Sequence, residues 1–541
     1  VIAEDLLAGS SINTAQTMVG TSGGGSTLLL VVLLLPLVGG IVLPFFKDDQ
    51  MAKAVALAVS IVELILIVPV WLNYQPSGAR LQAVLSVDWI PAFGVHFSLG
   101  IDGISLVMIA LIGVLMPIVI GGSWADKLPE GRGAAGFYSL LLIMQTGMIG
   151  VFAATDVFLF YVFFEAVLVP MYFLLGRFGG PRRQYAAMKF FLYSLLGGLI
   201  MLASVIGLYA TSAELRGAGT LDWLTLTQVI KDAPTSTQIW LFLGFFVAFA
   251  IKAPLVPLHT WLPDATAEAP IGTGVLLVGV LDKIGTFGFL RYCLPLFPAA
   301  SQSLAPLVLI LSVAGILYGA LLAAGQNDMK RLMAYISIAH FGFIGLGIFA
   351  FSTQSIAGSA LYMVNHGLAT GMLFLVVGMV IARGDSRLIS DYGGLAKITP
   401  LLAGLFLFAG LSALSLPGLN SFVSEFLVLV GSYPNEPVYA ILGAVGMILA
   451  ALYVLWAYQR VFQGPVRGNA LVGVAGGPGA ATDPAKVSVK DLNVREKLVL
   501  APLVILIIFL GFYPAPVLDV LQPTVDATLQ SVGLADPVGG N

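Results

Sequence analysis

Fourteen apolar stretches, most of them about 20 residues long, follow one another between residues 27 and 520. About 20 apolar residues, wound as an α-helix, cover the hydrocarbon core of a bilayer. Inside lipid every backbone polar group needs a partner within the protein, which leaves helices and closed barrels. Runs of this length without strict alternation are helical. The chain therefore reads as an all-α polytopic membrane protein. Its 10% charged residues agree, since a soluble domain carries about 25%. The expected spans lie near 27–45, 51–72, 100–121, 133–153, 157–176, 186–210, 237–258, 272–294, 304–325, 329–351, 355–382, 400–431, 437–461 and 498–520.

The basic residues orient these spans. With the N-terminus outside, 19 of the 25 Lys and Arg fall in cytoplasmic loops or span ends. Four, Arg80, Arg216, Lys231 and Arg291, fall outside, and Lys252 and Lys283 lie within the membrane. This asymmetry follows the positive-inside rule and places both termini in the periplasm. No Lys or Arg occurs in the first 46 residues, unlike a secretory signal. Residues 1–26 read as a polar tail, with SGGGS at 22–26 flexible. Residues 462–497 read as a cytoplasmic linker around GVAGGPGAATDPAK, and 498–541 as the last span and a periplasmic tail.

Ionisable residues at mid-span cost at least about 2.5–3.5 kcal/mol each, and in membranes they are functional by default. Glu165 lies within YVFFEAVLVPMY of span 5, and Lys252 within AFAIKAPLVPLHTW of span 7. Asp282 and Lys283 lie in span 8, His340 in span 10, His366 in span 11, Glu425 in span 12 and Glu63 in span 2. A single Glu–Lys pair can be a structural ion pair, and a lone His can simply hold a neighbouring helix. That plainer reading weighs most for Glu63, His366 and Asp102. As a set, titratable groups on spans 5, 7, 8, 10 and 12 form what a proton needs to cross hydrocarbon in short steps. A lysine that can approach or leave a carboxylate has two proton affinities, and Glu165 with Lys252 fits such a switch. His259 and His340 fit relays, because an unperturbed imidazole titrates near neutral pH.

Two spans look broken. Pro254 and Pro257 stand beside Lys252, and SLPGLNS, with Pro417 and Gly418, precedes Glu425. Proline removes a helix donor, and a Pro kink alone is common in membranes. Broken helices beside ionisable groups, however, line hydrated cavities and mark inverted repeats. LYSLLGGLIMLASVIGLYA (192–210) is similar to LYMVNHGLATGMLFLVVGM (361–379). Spans 1–3 (27–121) would then precede two inverted five-helix repeats, spans 4–8 (133–294) and 9–13 (304–461). An offset of five spans, being odd, requires inversion.

Several functions have no footing in the sequence. One cysteine, Cys293, cannot hold an iron–sulfur cluster or form an internal disulfide. No GxGxxG follows a strand and no GxxxxGK[ST] occurs. A pair of the four His could ligate haem, but no haem-binding motif accompanies them. No basic patch suggests nucleic acid. No metal or cofactor site is expected in this chain.

LFYVFFEAVLVPMYFLLG, KAPLVPLHTWLPDA, DMKRLMAYISIAHFGFIGLGIFAF, MVNHGLATGMLFLVVGM, SLPGLNSFVSEFLVL and LGFYPAPVLD occur in this order. With them, residues 99–520 resemble the antiporter-like subunits of proton-pumping NADH:quinone oxidoreductase, respiratory complex I, a family related to Mrp sodium/proton antiporters. The resemblance implies that protons move through Glu165, Lys252, Lys283 and Glu425, with His259, His340 and His366 as candidate relays and Asp282, Asp156 and Glu63 as candidate modulators. Glu425 stands where related subunits usually carry Lys, which points to the M-type branch. The short segment after residue 520 agrees, because the L-type adds a long lateral helix there. Thr266 replaces the family His of LPDAHTEAP and cannot carry a proton. Asp282 replaces an apolar residue.

The resemblance further implies partners. NADH, flavin, iron–sulfur clusters and quinone would be bound by other subunits, with L-type and N-type neighbours in a bacterial inner membrane. An Mrp-type antiporter or membrane-bound hydrogenase subunit shares the fold, although Glu425 argues against the former. A scaffold that moves no ions is the alternative of another class.

Overall fold

Short polar residues set where the spans start. Asp48, Asp102, Asp156 and Asp328 each accept hydrogen bonds from the exposed N–H groups of the first helical turn. Ser352 and Asn493 form capping boxes with Ser355 and Glu496. Such caps satisfy donors that the helix itself leaves unpaired. The computed structural model describes residues 19–20, 23–126, 128–471 and 489–537.

Twelve helices among the described residues are long and apolar enough to cross a membrane, from Gly24–Phe45 to Pro437–Phe462. Span 12 is a broken pair of shorter helices, Pro400–Ala413 and Asn420–Ser432, and span 14 begins with Val494–Phe512. The order is that expected from hydropathy. Spans 8, 10 and 11 are at least 94% buried, whereas spans 1, 2, 6 and 13 are 28–39% buried. The former are central and the latter peripheral, so polar residues on spans 8, 10 and 11 are sealed inside protein.

The two repeats reveal themselves through matching clasps. At the start of span 5, Val157 N–H donates to Leu221 O (2.9 Å) and Trp223 N–H to Thr155 O (3.1 Å). At the start of span 10, Met329 N–H donates to Arg387 O (2.9 Å) and Ile389 N–H to Asn327 O (2.7 Å). Both clasps are two-residue antiparallel bridges centred on a capping aspartate, Asp156↔Asp222 and Asp328↔Leu388. An odd number of spans separates them, so they sit on opposite faces. The first lies on the face that holds the strands, the second on the face rich in basic residues. This is the inversion that the five-span offset demands.

Four features depart from the sequence expectations. The loop at 73–99 carries a β-hairpin, Leu81–Ile90 (β1) and Val95–Ile101 (β2), and Val19–Gly20 pairs parallel to β1. The all-α reading therefore holds for the spans but not for this loop. Alternation in LQAVLSVDWI carries the strand signal. The glycines at 23–25 open the first helix rather than form a flexible tail. At a helix start their N–H groups need no intrahelical partner, and the leucines that follow drive the helix. The last span does not run straight to 520. It bends by 67° after Phe512 into Ala515–Val532, where Pro514 cannot continue the ladder. Gly103 N–H donates to Thr524 Oγ1 of this helix (3.0 Å). Finally, Arg291 is not in a loop but buried in span 8. The polar tail over 1–18 and 21–22, and the linker over 472–488, lie outside the described residues.

Candidate functional site

Span 5 is interrupted at Val167, between Val157–Ala166 and Leu168–Phe178, two residues after Glu165. Its carboxylate lies against Gly198 of span 6, where a Cβ would collide with Oε1. Lys252 is the last residue of the first half of span 7, Thr235–Lys252. Its ammonium is buried 4.8 Å above the Phe164 ring and 5.9 Å from that of Phe190. Aromatic faces attract a cation but cannot accept its protons as an oxygen does. Glu165 Oε1 and Lys252 Nζ have no hydrogen-bond partner among the described residues, and no contact ion pair joins them. The pair anticipated from sequence is thus open, with the Phe164 ring beneath the ammonium.

Beyond Lys252 the backbone unwinds. The carbonyl of Ile251 is taken up by the Trp261 indole N–H (2.9 Å), which satisfies the break. Span 8 carries a different irregularity, a π-helical turn over Leu277–Leu281 immediately before Asp282. Such bulges alter which carbonyls are free. Lys283 Nζ donates to Val278 O and stands 2.5 Å from His366 Nδ1. Asp282 is fully buried, with no hydrogen-bond partner for either carboxylate oxygen among the described residues, and within electrostatic reach of both Lys252 and Lys283.

From His366 the polar path continues. The His366 and His340 rings meet edge to face with centroids 5.2 Å apart, and His340 lies 5.6 Å from the Tyr362 ring. Tyr362 donates its hydroxyl hydrogen to Glu425 Oε1 (3.0 Å). All five residues, Lys283, His366, His340, Tyr362 and Glu425, are at most 2% exposed. Spans 8, 10, 11 and 12 are thereby joined by one file of titratable groups. Glu425 occupies the second half of its broken span, whereas Lys252 ends the first half of its own. The break of span 12 is pinned by Asn365 Nδ2 donating to Asn420 O (2.8 Å) and by Ser412 Oγ donating to Asn420 Oδ1 (2.7 Å).

Tyr362 and Asn365 escaped the sequence reading. Their signal was present: Tyr362, Asn365 and His366 stand at i, i+3 and i+4 in LYMVNHG, on one helix face. His366, for which a plain packing role weighed heavily, stands at the junction of the file. His259 stands apart, its ring edge to face with Tyr318 at 5.1 Å. Glu63 is buried in span 2 and accepts a hydrogen bond from Gln145. Asp156 caps span 5 and also accepts from His96 N–H (3.1 Å). Burial raises the Asp156 carboxyl above its ordinary range despite these bonds. Thr266 donates to Leu262 O (2.6 Å), an ordinary helical back-bond.

At the basic end of span 7, Asp264 accepts from Lys189 (2.7 Å) and pairs with Arg331. Burial opposes its charge, but these two cations outweigh it and hold the carboxyl below its ordinary value of 3.8. A carboxyl depressed on folding contributes stability above its unfolded pKa and loses it as pH falls through the folded value. Asp264→Asn is therefore expected to melt earlier than the parent at pH 7. The gap should begin to narrow as pH drops below about 3.8 and close as pH falls through the lower folded value, where the parent's carboxyl protonates too. A melting difference that stays constant from pH 7 to pH 3 would remove the ion pair as its cause.

Residues 154–452 match the model of the NADH:quinone oxidoreductase/Mrp antiporter transmembrane family, and the chain belongs to that family. It is 43% identical over 537 residues to NADH-quinone oxidoreductase subunit M of Mycobacterium tuberculosis, covering 93% of this chain and 94% of the relative. It is 38% identical to NADH-ubiquinone oxidoreductase chain 4 of Arabidopsis thaliana, covering 92% and 95%. A chain of respiratory complex I from Thermus thermophilus superposes with a TM-score of 0.82 at 31% identity, covering 94% of this chain and all of that one. A chain of the Mrp complex from Dietzia shares the fold, with a TM-score of 0.81 at 22% identity over 94% of this chain and all of that one.

Proposed function

We propose that this chain is the M-type proton-translocating membrane subunit of NADH:quinone oxidoreductase. The observation that carries the reading is the buried file from Lys283 through His366, His340 and Tyr362 to Glu425. Identity to curated subunit M proteins over nearly the whole chain supports the assembly. The chain performs no electron transfer; NADH, flavin, iron–sulfur clusters and quinone belong to partner subunits. Its membrane neighbours are L-type and N-type antiporter-like subunits. The basic face is cytoplasmic by the positive-inside rule, so both termini lie in the periplasm of a bacterial inner membrane.

In this mechanism a charge shift in the neighbouring subunits alters the separation of Glu165 and Lys252. Lys252 and Lys283 compete for the influence of Asp282, which lies within reach of both. When the field at Lys283 becomes more positive, its ammonium passes a proton to His366 Nδ1, leaving a neutral amine. His366 and His340 relay it, and Tyr362 delivers its hydroxyl proton to Glu425 while taking one from the histidine side. No step requires a free charge to cross hydrocarbon for more than a few ångströms.

Tyr362→Phe tests the file by deleting one oxygen. With the assembled complex in inverted vesicles, proton uptake per NADH oxidised is expected to fall about tenfold through this chain, the scale of one lost buried hydrogen bond to a charged acceptor. Assembly should be unchanged, because the ring remains. Full pumping in a fully assembled Tyr362→Phe complex would break the file. Sodium-dependent proton movement without NADH would instead favour the Mrp-type reading.

A further inference from the structure

Span 6 is one unbroken helix, Arg183–Arg216, and the middle of its buried face carries Phe190, Ser194, Gly197 and Gly198. This face turns towards both Glu165 and Lys252. The Phe190 ring lies 5.9 Å from Lys252 Nζ. Two turns further on, Gly198 receives Glu165: the three atoms nearest to a Cβ placed there are Oε1, Cδ and Oε2 of that carboxyl. Gly197 receives span 7 instead, with Ile251 Cδ1 and Ala248 Cα at 3.0 and 3.2 Å from its Cβ position. Two adjacent glycines thus divide the face between span 5 and span 7.

Ser194 stands between these contacts in both rotation and height. At about 100° per residue it points about 60° from Gly197 on one side and about 40° from Gly198 on the other. It lies one turn from Phe190 and one from Gly198, about 6 Å along the axis either way. Ser194 is 2% exposed, and its Oγ has no hydrogen-bond partner among the described residues. Other hydroxyls of this helix donate back to its own carbonyls, Thr211 to Gly207 O (2.9 Å) and Ser212 to Tyr209 O (2.7 Å). Ser194 does not.

Lys252 Nζ and Glu165 Oε1 are unpartnered too. The three groups are chemically complementary. An ammonium only donates, a carboxylate only accepts, and a hydroxyl does both. Unpaired buried polar atoms are costly, and each of these lacks what the next supplies. With its carboxyl in the notch left by the missing side chain of Gly198, Glu165 is parked. One turn along span 6, on the side of Lys252, the Ser194 hydroxyl offers the carboxyl a second position.

We infer that Gly198 and Ser194 are positioning residues that give the Glu165 carboxylate two seats: a parked one against Gly198, and an engaged one in which the Ser194 hydroxyl donates to Glu165 and accepts from Lys252. This rests on the proposed proton-translocating function and names the device that sets the separation of the pair. Neither residue gives up a proton; together they decide how near the carboxylate stands to the ammonium. Two other ionisable groups act on the pair, Tyr161 on Glu165 from one turn earlier in span 5 and Asp282 on Lys252 from span 8. Substitutions in span 6 leave both in place.

The test uses the assembled complex in inverted vesicles, reading NADH-driven proton uptake and its pH profile. Ser194→Ala removes the engaged seat and Gly198→Ala the parked one; alanine favours the helix in both. Ser194→Ala should slow uptake about tenfold, the scale of one hydrogen bond to a charged group, and Ser194→Thr should restore it. A lysine nearer a carboxylate holds its proton more tightly. The pH profile should therefore move to lower pH in Ser194→Ala. It should move to higher pH in Gly198→Ala, where the added methyl drives the carboxyl from its notch. Both shifts should vanish when Glu165→Gln is added. If Gly198→Ala assembles poorly, Ser194→Ala and Ser194→Thr decide alone. A slowed Ser194→Ala with an unmoved pH profile would reduce the serine to packing and overturn the two seats. Parental uptake in Ser194→Ala, with Lys283→Met inactive, would overturn them and leave the file standing. Unchanged uptake in Lys283→Met as well would overturn the translocating function itself.

Discussion

Lys283→Met is expected to abolish NADH-driven proton translocation by the assembled complex while leaving its assembly intact. Methionine fills most of the lysine's volume in a site that is fully buried, and a volume-conserving change is tolerated best. What disappears is the group that contacts both the span 8 backbone at Val278 and the His366 ring. Removing an acid–base group from a proton-transfer step slows it by about 10²–10⁴-fold. Lys283→Arg supplies the sharper arm. A guanidinium keeps the positive charge but does not give up its proton in a protein. If the site needs charge alone, Lys283→Arg pumps; if it needs a transferable proton, Lys283→Arg is as inactive as Lys283→Met. The second result is expected. Measurable pumping at the parental rate in Lys283→Arg would reduce Lys283 to an electrostatic fixture.

The second large effect is on stability, at a site outside the proton path. Arg291 and Asp102 form a contact pair of 2.8 Å with side chains only 2% exposed. Arg291 also donates to Ser105 Oγ (2.6 Å) and stacks over Trp223 at 4.6 Å, while the Trp223 indole donates to Arg291 O (2.7 Å). The cluster ties span 8 to span 3 and to the helix Trp223–Val229. Arg291→Met leaves the Asp102 carboxylate buried without its cation, a loss of about 3–5 kcal/mol for pairs of this kind. The variant should melt markedly earlier and accumulate poorly. Asp102→Asn combined with Arg291→Met should recover much of the loss, because asparagine still caps span 3 and no stranded carboxylate remains. A double variant no more stable than Arg291→Met would point to lost packing on Trp223 instead of the stranded charge.

The spans were legible because hydrophobic length is a local property. Twenty apolar residues declare a membrane helix wherever their neighbours lie, so Gly24–Phe45 through Pro437–Phe462 fall where hydropathy puts them. The breaks in spans 7 and 12 were legible for the same reason, since proline acts on its own helix. The residues rich in chemistry were legible too, because lipid makes each charge conspicuous. Arg291 was misplaced by that same logic: near a span end, a charge in a loop and a charge in a buried pair give the same local sequence.

Who touches whom was decided by the tertiary structure. Glu165 and Lys252, paired on chemical grounds, make no contact ion pair or hydrogen bond with each other among the described residues. Tyr362, a tyrosine among many in an apolar run, became the link to Glu425 because spans 11 and 12 bring it there. The sequence by itself determined that this chain crosses a membrane with acids and bases in its interior. Their order along a path depends on contacts between helices far apart in sequence, and only packing sets those: a side chain's period along its helix says which face it shares, not which helix that face meets.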